Sequence, residues 1–154
     1  VDFVSALDFP KKIKWYREEG FNRTSIEAKT KIRCEKYSVE FSQAGDLEDI
    51  EITRKWKALP PLTQDSIHHY FTTHFQKYKI IKIQIQLVGD PSRLQVAMAQ
   101  QRYTTDEQLQ VNYEIVAKVK EASQYQKIEF LFNENGQLTH QALILLKNTD
   151  NLDY

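Results

Sequence analysis

Residues 113–146, YEIVAKVKEASQYQKIEFLFNENGQLTHQALILL, decide the fold. Apolar and polar residues alternate through three runs, 112–120, 126–132 and 138–146, and the runs are broken at 121–125 and at Asn133-Glu134-Asn135-Gly136. A period of two puts successive side chains on opposite faces of a strand, so each run is expected to bury one face and wet the other. Gly136 supplies the positive φ that a short hairpin turn needs.

An earlier segment, residues 26–52, repeats the pattern. Aligned on the turn glycines, Ile26-Glu27-Ala28-Lys29 answers Ile115-Val116-Ala117-Lys118, Tyr37-Ser38-Val39-Glu40-Phe41 answers Ile128-Glu129-Phe130-Leu131-Phe132, and Gly45-Asp46-Leu47 answers Gly136-Gln137-Leu138. The chain reads as one supersecondary unit written twice.

Working outward, residues 1–9 are expected to be the last turns of a helix, closed by Pro10. Residues 11–18 form a strand with Ile13 and Trp15 on one side and Lys12, Lys14 and Tyr16 on the other, and residues 20–24 are its turn. Residues 25–33 place Ile26, Ala28, Thr30 and Ile32 on one face and Glu27, Lys29, Lys31 and Arg33 on the other. Residues 47–55 make a fourth strand, with Ile50 and Ile52 inward and a bulge where Leu47 falls out of register.

Pro60-Pro61 ends the first unit, and Thr63 is expected to cap a helix whose apolar stripe is Ile67, Phe71, His74 with Phe75, and Tyr78, with Lys77 and Lys79 at its C-terminal end. A strand through Ile81, Ile83, Ile85 and Leu87 follows. Asp90-Pro91 then opens a helix over 92–101, with a strand carrying Leu94, Val96 and Met98 as its competitor. The expected fold is α+β: two tandem repeats of a helix plus a four-stranded antiparallel meander, residues 1–57 and 58–154, with an insertion at about 90–110. Together they make one compact unit, a curved sheet backed by helices.

Composition narrows the function classes. Twenty-one Lys and Arg balance twenty-one Asp and Glu, so no field favours nucleic acid. No apolar run approaches the roughly 20 residues of a membrane span. Position 1 is Val and the only Met is Met98, from which a removed leader is expected.

No catalytic set is expected. His68, His69 and His74 share one helix without zinc spacing, and His140 has no partner identifiable from sequence. Cys34 lies between Arg33 and Lys36 without an obvious base and reads as structural. The run Asp46, Glu48, Asp49 and Glu51 reads as a solvated strand face, without the loop oxygens of a calcium cage. Neither metal nor cofactor is expected.

The outward strand face is the more informative surface. Trp15, Tyr16, Lys29, Lys31, Lys82, Gln84 and Lys118 are the candidate binding residues, because amphipathic aromatics and mixed charge suit recognition. The alternative is a small apolar-ligand carrier, with a pocket between helices and sheet lined by Phe71, Phe75, Phe130 and Phe132.

The chain also resembles a known family, the tandem-repeat PepSY-like proteins, similar in fold to the β-lactamase inhibitory protein. The residues that carry the resemblance are Lys14-Trp15-Tyr16, residues 37–41 with Gly45 and Leu47-Glu48-Asp49-Ile50-Glu51-Ile52, Tyr113-Glu114-Ile115, Glu129-Phe130-Leu131-Phe132 with Gly136, and the ending 149–154. It implies a periplasmic or secreted protein of a Gram-negative bacterium without enzymatic activity. On that reading the chain is a cell-envelope binding module that engages a protein or peptide on its open sheet, in the manner of an inhibitor.

Overall fold

The alternation emerges as eight strands in the computed structural model of the chain, which describes residues 2–7, 9, 12–19, 24–32 and 35–144. A short helix α1 (Asp2–Ala6) precedes β1 (Lys14–Glu19), β2 (Thr24–Ile32), β3 (Glu35–Ser42) and β4 (Leu47–Thr53). After a 3₁₀ turn (Trp56–Ala58) come α2 (Pro61–His74), β5 (Lys77–Gly89), α3 (Pro91–Gln100), β6 (Leu109–Glu121), β7 (Gln124–Phe132) and β8 (Leu138–Leu143). The strands form one sheet in chain order, each antiparallel to the next.

Register lines up the apolar positions across the whole sheet. Tyr37 faces Ile52, Ile52 faces Ile85, Ile85 faces Tyr113, Tyr113 faces Phe132, and Phe132 faces Leu138. A face so continuous needs a cover, and α2 supplies it with Ile67 and Phe71, both fully buried. The Phe71 ring meets Phe130 edge-on at 5.0 Å and stacks on Tyr78 at 4.8 Å. Burying a side chain of that size stabilises the fold by roughly 1.5–3 kcal/mol. Farther along, α3 buries Leu94 and Ala97 in the same core.

The start of α3 is as the sequence indicates. The Asp90 carboxylate accepts from the Ser92 amide (2.9 Å) and the Arg93 amide (3.4 Å), and Pro91 occupies the first turn. The Ser92 hydroxyl and these amides hold the Asp90 carboxyl below its usual range. The competing strand is excluded, because Val96 is turned out to solvent.

Three expectations about α2 and its surroundings are corrected. Thr63 is not the cap: the helix starts at Pro61, whose ring presets φ and which has no amide hydrogen to satisfy. The Thr63 hydroxyl instead donates to the Glu134 carbonyl (2.8 Å), tying α2 to the β7–β8 turn. The apolar stripe does not continue through Tyr78, because the backbone turns extended at Phe75 and Lys77, Tyr78 and Lys79 belong to β5. Ile81 is not in the inward row of Ile83, Ile85 and Leu87. The register shifts between Ile80 and Lys82, and Ile81 is expelled to solvent.

The bulge expected at Leu47 is present, since Glu40 faces Asp49 while Phe41 faces Leu47. An equivalent shift occurs later, where Leu131 faces His140 and Phe132 faces Leu138. Pairing runs from Ile26↔Phe41 to Ile32↔Glu35 in one hairpin and from Tyr113↔Phe132 to Glu121↔Gln124 in the other. Aligned on Phe41 and Phe132, the residue in the place of Ile26 is therefore Tyr113 and not Ile115, and the second hairpin is longer by two residues per strand. The turn at 20–23, Pro10, Cys34 and residues 145–154 lie outside the described residues.

Gly45 (φ 91°) and Gly136 (φ 75°) both turn left-handed, but their surroundings differ. Nothing lies within 4 Å of a Cβ built on Gly45, whereas one on Gly136 would stand 2.7 Å from Ser66 Cβ and 2.8 Å from the Thr63 carbonyl oxygen. Gly45→Ala is expected to cost about 1 kcal/mol from backbone strain alone. Gly136→Ala is expected to cost at least about 2 kcal/mol more by forcing α2 off the turn. Urea unfolding of the two variants checks both the order and the gap.

Candidate binding face

The helices cover one side of the sheet, and the other side carries a concavity of about 940 Å³ lined by residues from β1 to β7. Its residues follow from the register. One row runs Tyr16, Glu27, Glu40, Asp49 across β1 to β4. The next runs Lys14, Lys29, Ser38, Glu51, Gln86, Asn112 across β1 to β6. A third joins Thr53, Gln84 and Glu114.

Five of the seven candidate binding residues, Tyr16, Lys29, Lys31, Lys82 and Gln84, line this space. Trp15 does not. It faces Ala28 on the opposite side of the sheet, its ring 6.3 Å from that of Phe41, and it remains 46% exposed. Lys118 also stands apart, its ammonium 4.9 Å from the centre of the Tyr125 ring. Gln84 is not the water-facing residue its alternation suggests, since only 6% of it is exposed.

The floor is polar and buried. Glu27, Ser38, Asp49, Glu51, Gln84, Asn112 and Glu114 are all largely shielded from solvent. The reading of the acidic strand as a solvated face therefore holds for Asp46 and fails for Asp49 and Glu51. Curvature is the reason: the inner face of a bent sheet crowds its side chains together, so pointing away from the core is not the same as reaching water.

Hydrogen bonds order the floor. Gln84 donates from Nε2 to Glu51 Oε2 (2.6 Å), Gln86 donates to Asp49 Oδ2 (2.9 Å), and Asn112 donates to Gln86 Oε1 (3.1 Å). The Ser38 hydroxyl donates to Glu27 Oε1. Two lysines at the margin lean over the acids, with Lys29 Nζ 2.6 Å from Glu27 Oε2 and Lys82 Nζ 3.5 Å from Glu114 Oε1. Lys29 Nζ also lies 5.1 Å from the centre of the Tyr16 ring.

Glu51 bears the electrostatic load. Burial first, then the charge of Glu114 and a hydrogen bond with it, then Glu40 and Asp49, push its carboxyl from an ordinary 4.5 up to about 10. It is thus protonated at neutral pH in the folded protein and ionised in the unfolded chain.

Two of the histidines and the four phenylalanines have structural partners. His68 Nδ1 lies 2.7 Å from the Tyr78 hydroxyl, and His74 stacks on Tyr70 at 4.2 Å. Phe71, Phe75, Phe130 and Phe132 pack directly on one another with centroids 5.0–6.3 Å apart. Among the described residues no helix is long and apolar enough to cross a membrane.

At Glu51 the native state keeps a proton that the unfolded state releases between pH 4.5 and about 10, so this residue makes stability fall as pH rises through that window. Glu51→Gln keeps the Gln84 hydrogen bond and cannot ionise. Its stability in chelator-treated buffer is expected to fall less from pH 5 to pH 9 than that of the parent, with a difference in slope of up to about 1.4 kcal/mol per pH unit. Urea unfolding across that range measures it, and equal slopes would contradict the assignment.

No protein-family profile and no curated protein matches the sequence. Two solved structures are similar in three dimensions. A DUF2874 family protein from Bacteroides ovatus superposes with a TM-score of 0.57 at 11% identity, covering 92% of this chain and 85% of its own. A BLIP-like protein (BF1215) from Bacteroides fragilis superposes with a TM-score of 0.53 at 17% identity, covering 99% of this chain and 89% of its own. At such identities the likeness concerns architecture, and an eight-stranded antiparallel meander with helices on one face is, in this chain, a BLIP-like fold.

Proposed function

We propose that the chain is a non-catalytic binding module of the cell envelope, which engages a protein or peptide in the concavity of its sheet. The observation that carries this reading is the construction of that face: buried acids held in place by amide and hydroxyl donors, with exposed lysines at positions 14, 29, 31, 36 and 82 along its margin. Fixed polar groups lose little freedom on binding, and alternating charge favours a partner of complementary pattern over others. The packing of Phe71, Phe75, Phe130 and Phe132 on one another weighs against the carrier reading. An inhibitor-like role, in which the bound partner is an enzyme, is one form of the proposal.

Two features support the further reading that the chain is a PepSY-like duplication. Gly45 and Gly136 occupy left-handed turns, and Phe41↔Leu47 and Phe132↔Leu138 follow equivalent register shifts. The unequal hairpins then record divergence after duplication.

The test compares variants against one captured partner. Lys14→Glu and Lys31→Glu, both exposed on the margin, are expected to weaken a partner cross-linked from an envelope extract by at least about tenfold, with a weaker dependence on salt. Lys118→Glu, outside the concavity, is expected to leave it unchanged. Equal binding by all three variants, or loss only with Lys118→Glu, would move the site off this face.

A further inference from the structure

Outside the concavity, the sheet has a gap in its hydrogen bonding. β5 pairs with β6 from Lys77↔Lys120 to Gly89↔Leu109, but β4 pairs with β5 only from Ile50↔Leu87 to Thr53↔Gln84. One further bond, from the Arg54 amide to the Ile83 carbonyl (2.9 Å), ends that contact, and the chain then leaves the sheet for the 3₁₀ turn Trp56–Ala58. Among the described residues no other strand takes the place of β4, so the side of β5 turned away from β6 is an open edge over residues 77–81. Alternate residues of an antiparallel strand direct their N–H and C=O groups to such an edge, where they are free to pair with another chain.

The two faces beside this edge differ in chemistry. On the helix side an open cleft of about 320 Å³ is lined by Trp56, Gln64, Asp65, His68, Tyr78 and Ile80. Its wall is largely aromatic and apolar, with the half-buried Trp56 part of it and Asp65 its one carboxylate, and Ile81 at the bulge is 51% exposed. On the opposite side, period two places Lys77 and Lys79, faced across the ladder by Lys120 and Lys118, with Lys127 facing Lys118 in turn. Like charges in facing positions repel, and none of these lysines makes an ion pair among the described residues. The Lys118 and Lys120 ammoniums lie 4.9 and 5.9 Å from the centre of the Tyr125 ring, whereas Lys77 and Lys79 stand exposed at the edge itself.

We propose that an extended peptide segment of a partner, with acidic residues alternating with apolar ones, adds as a strand to the open edge of β5 at residues 77–81. A strand laid there shares the faces of β5. Every second side chain stands beside Lys77 and Lys79, and the others enter the cleft against Trp56, Tyr78 and Ile80. The lysines select carboxylates in the first set. Asp65 repels carboxylates in the second, where the aromatic wall favours apolar side chains. Main-chain pairing supplies the affinity, and the two alternating environments supply the specificity.

Lysine at a strand edge is also a device against unwanted pairing. It bars a second copy of this chain, whose own β5 would set lysine against lysine, and it leaves a strand of opposite charge as the one this edge accepts. Protection alone does not account for a cleft walled by Trp56 on the other face. The site is separate from the concavity, which neither Lys77 nor Lys79 lines.

Amide chemical-shift mapping with two synthetic peptides tests the proposal: acetyl-Glu-Val-Glu-Phe-Glu-Val-amide, and its counterpart with lysine in place of each glutamate. The acidic peptide is expected to shift the amides of residues 77–82 and the Trp56 indole, and the basic one to bind at least about tenfold more weakly. Of two acidic peptides N-methylated on alternate residues, one along each edge, one is expected to lose binding and the other to keep it. Lys79→Glu is expected to reverse the charge preference, while Lys31→Glu, in the concavity, is expected to leave it unchanged. No shifts in the folded parent with acidic peptide up to about 1 mM would overturn the proposal and leave Lys77 and Lys79 as edge protection only. Equal binding of the acidic and basic peptides, equal binding of both N-methylated forms, or an unaltered preference in Lys79→Glu would also overturn it, as would loss of binding in Lys31→Glu, which would put the peptide in the concavity. The peptide exchanges are read on the parent and decide even if a variant fails to fold, and this site can fail while the concavity reading stands.

Discussion

A single sheet has two faces, and the helices among the described residues cover one of them. Ile67 and Phe71 of α2, with Leu94 and Ala97 of α3, cover the apolar side, so the other side must satisfy its polar groups through its own side chains. Because the sheet is curved, its inner rows are crowded and lose water. The consequence is an uncommon sheet surface in which glutamates, an aspartate and amides form a buried, hydrogen-bonded floor. Such a floor is preorganised, and its charge is the main electrostatic fact about the molecule.

That charge has few ways to be neutralised. Lysine can lean in from the margin, as Lys29 and Lys82 do, or a proton can remain on a carboxyl, as burial and Glu114 impose on Glu51. The protein uses both within a few ångströms. Side chains that repel one another and are kept in facing positions lower the stability of the sheet, and uses that draw on concentrated negative charge are the natural compensation.

Much of the architecture was legible in the residues. Alternation marked the strands, Gly45 and Gly136 marked their turns, Asp90-Pro91 marked α3, and the mismatch at Leu47 marked a bulge. Each is a local rule with a local cause. The failures required knowledge of distant contacts. Thr63 looks like a cap until its hydroxyl is seen to be taken by Glu134, seventy-one residues away, and Tyr78 fits a helical stripe until β6 claims it as a pairing partner. The floor was missed for a different reason. Period two separates the faces of a strand but does not give the curvature that closes one of them, so Asp49, Glu51 and Gln84 read as wet. Folding the hairpin about Gly45 would have set Glu40 against Asp49, and that opposition of like charges was the available signal.

The pairing of β4 with β5 extends only from Ile50↔Leu87 to Thr53↔Gln84, whereas β5 and β6 stay paired from Lys77↔Lys120 to Gly89↔Leu109. Among the described residues the β4–β5 pairing is the shortest in the sheet, and it is the one that joins β1 to β4 with β5 to β8. Its stitches are few, and two of them, Gln84 to Glu51 and Gln86 to Asp49, belong to the acidic floor. Whatever occupies or neutralises that floor thus also fastens one half of the molecule to the other.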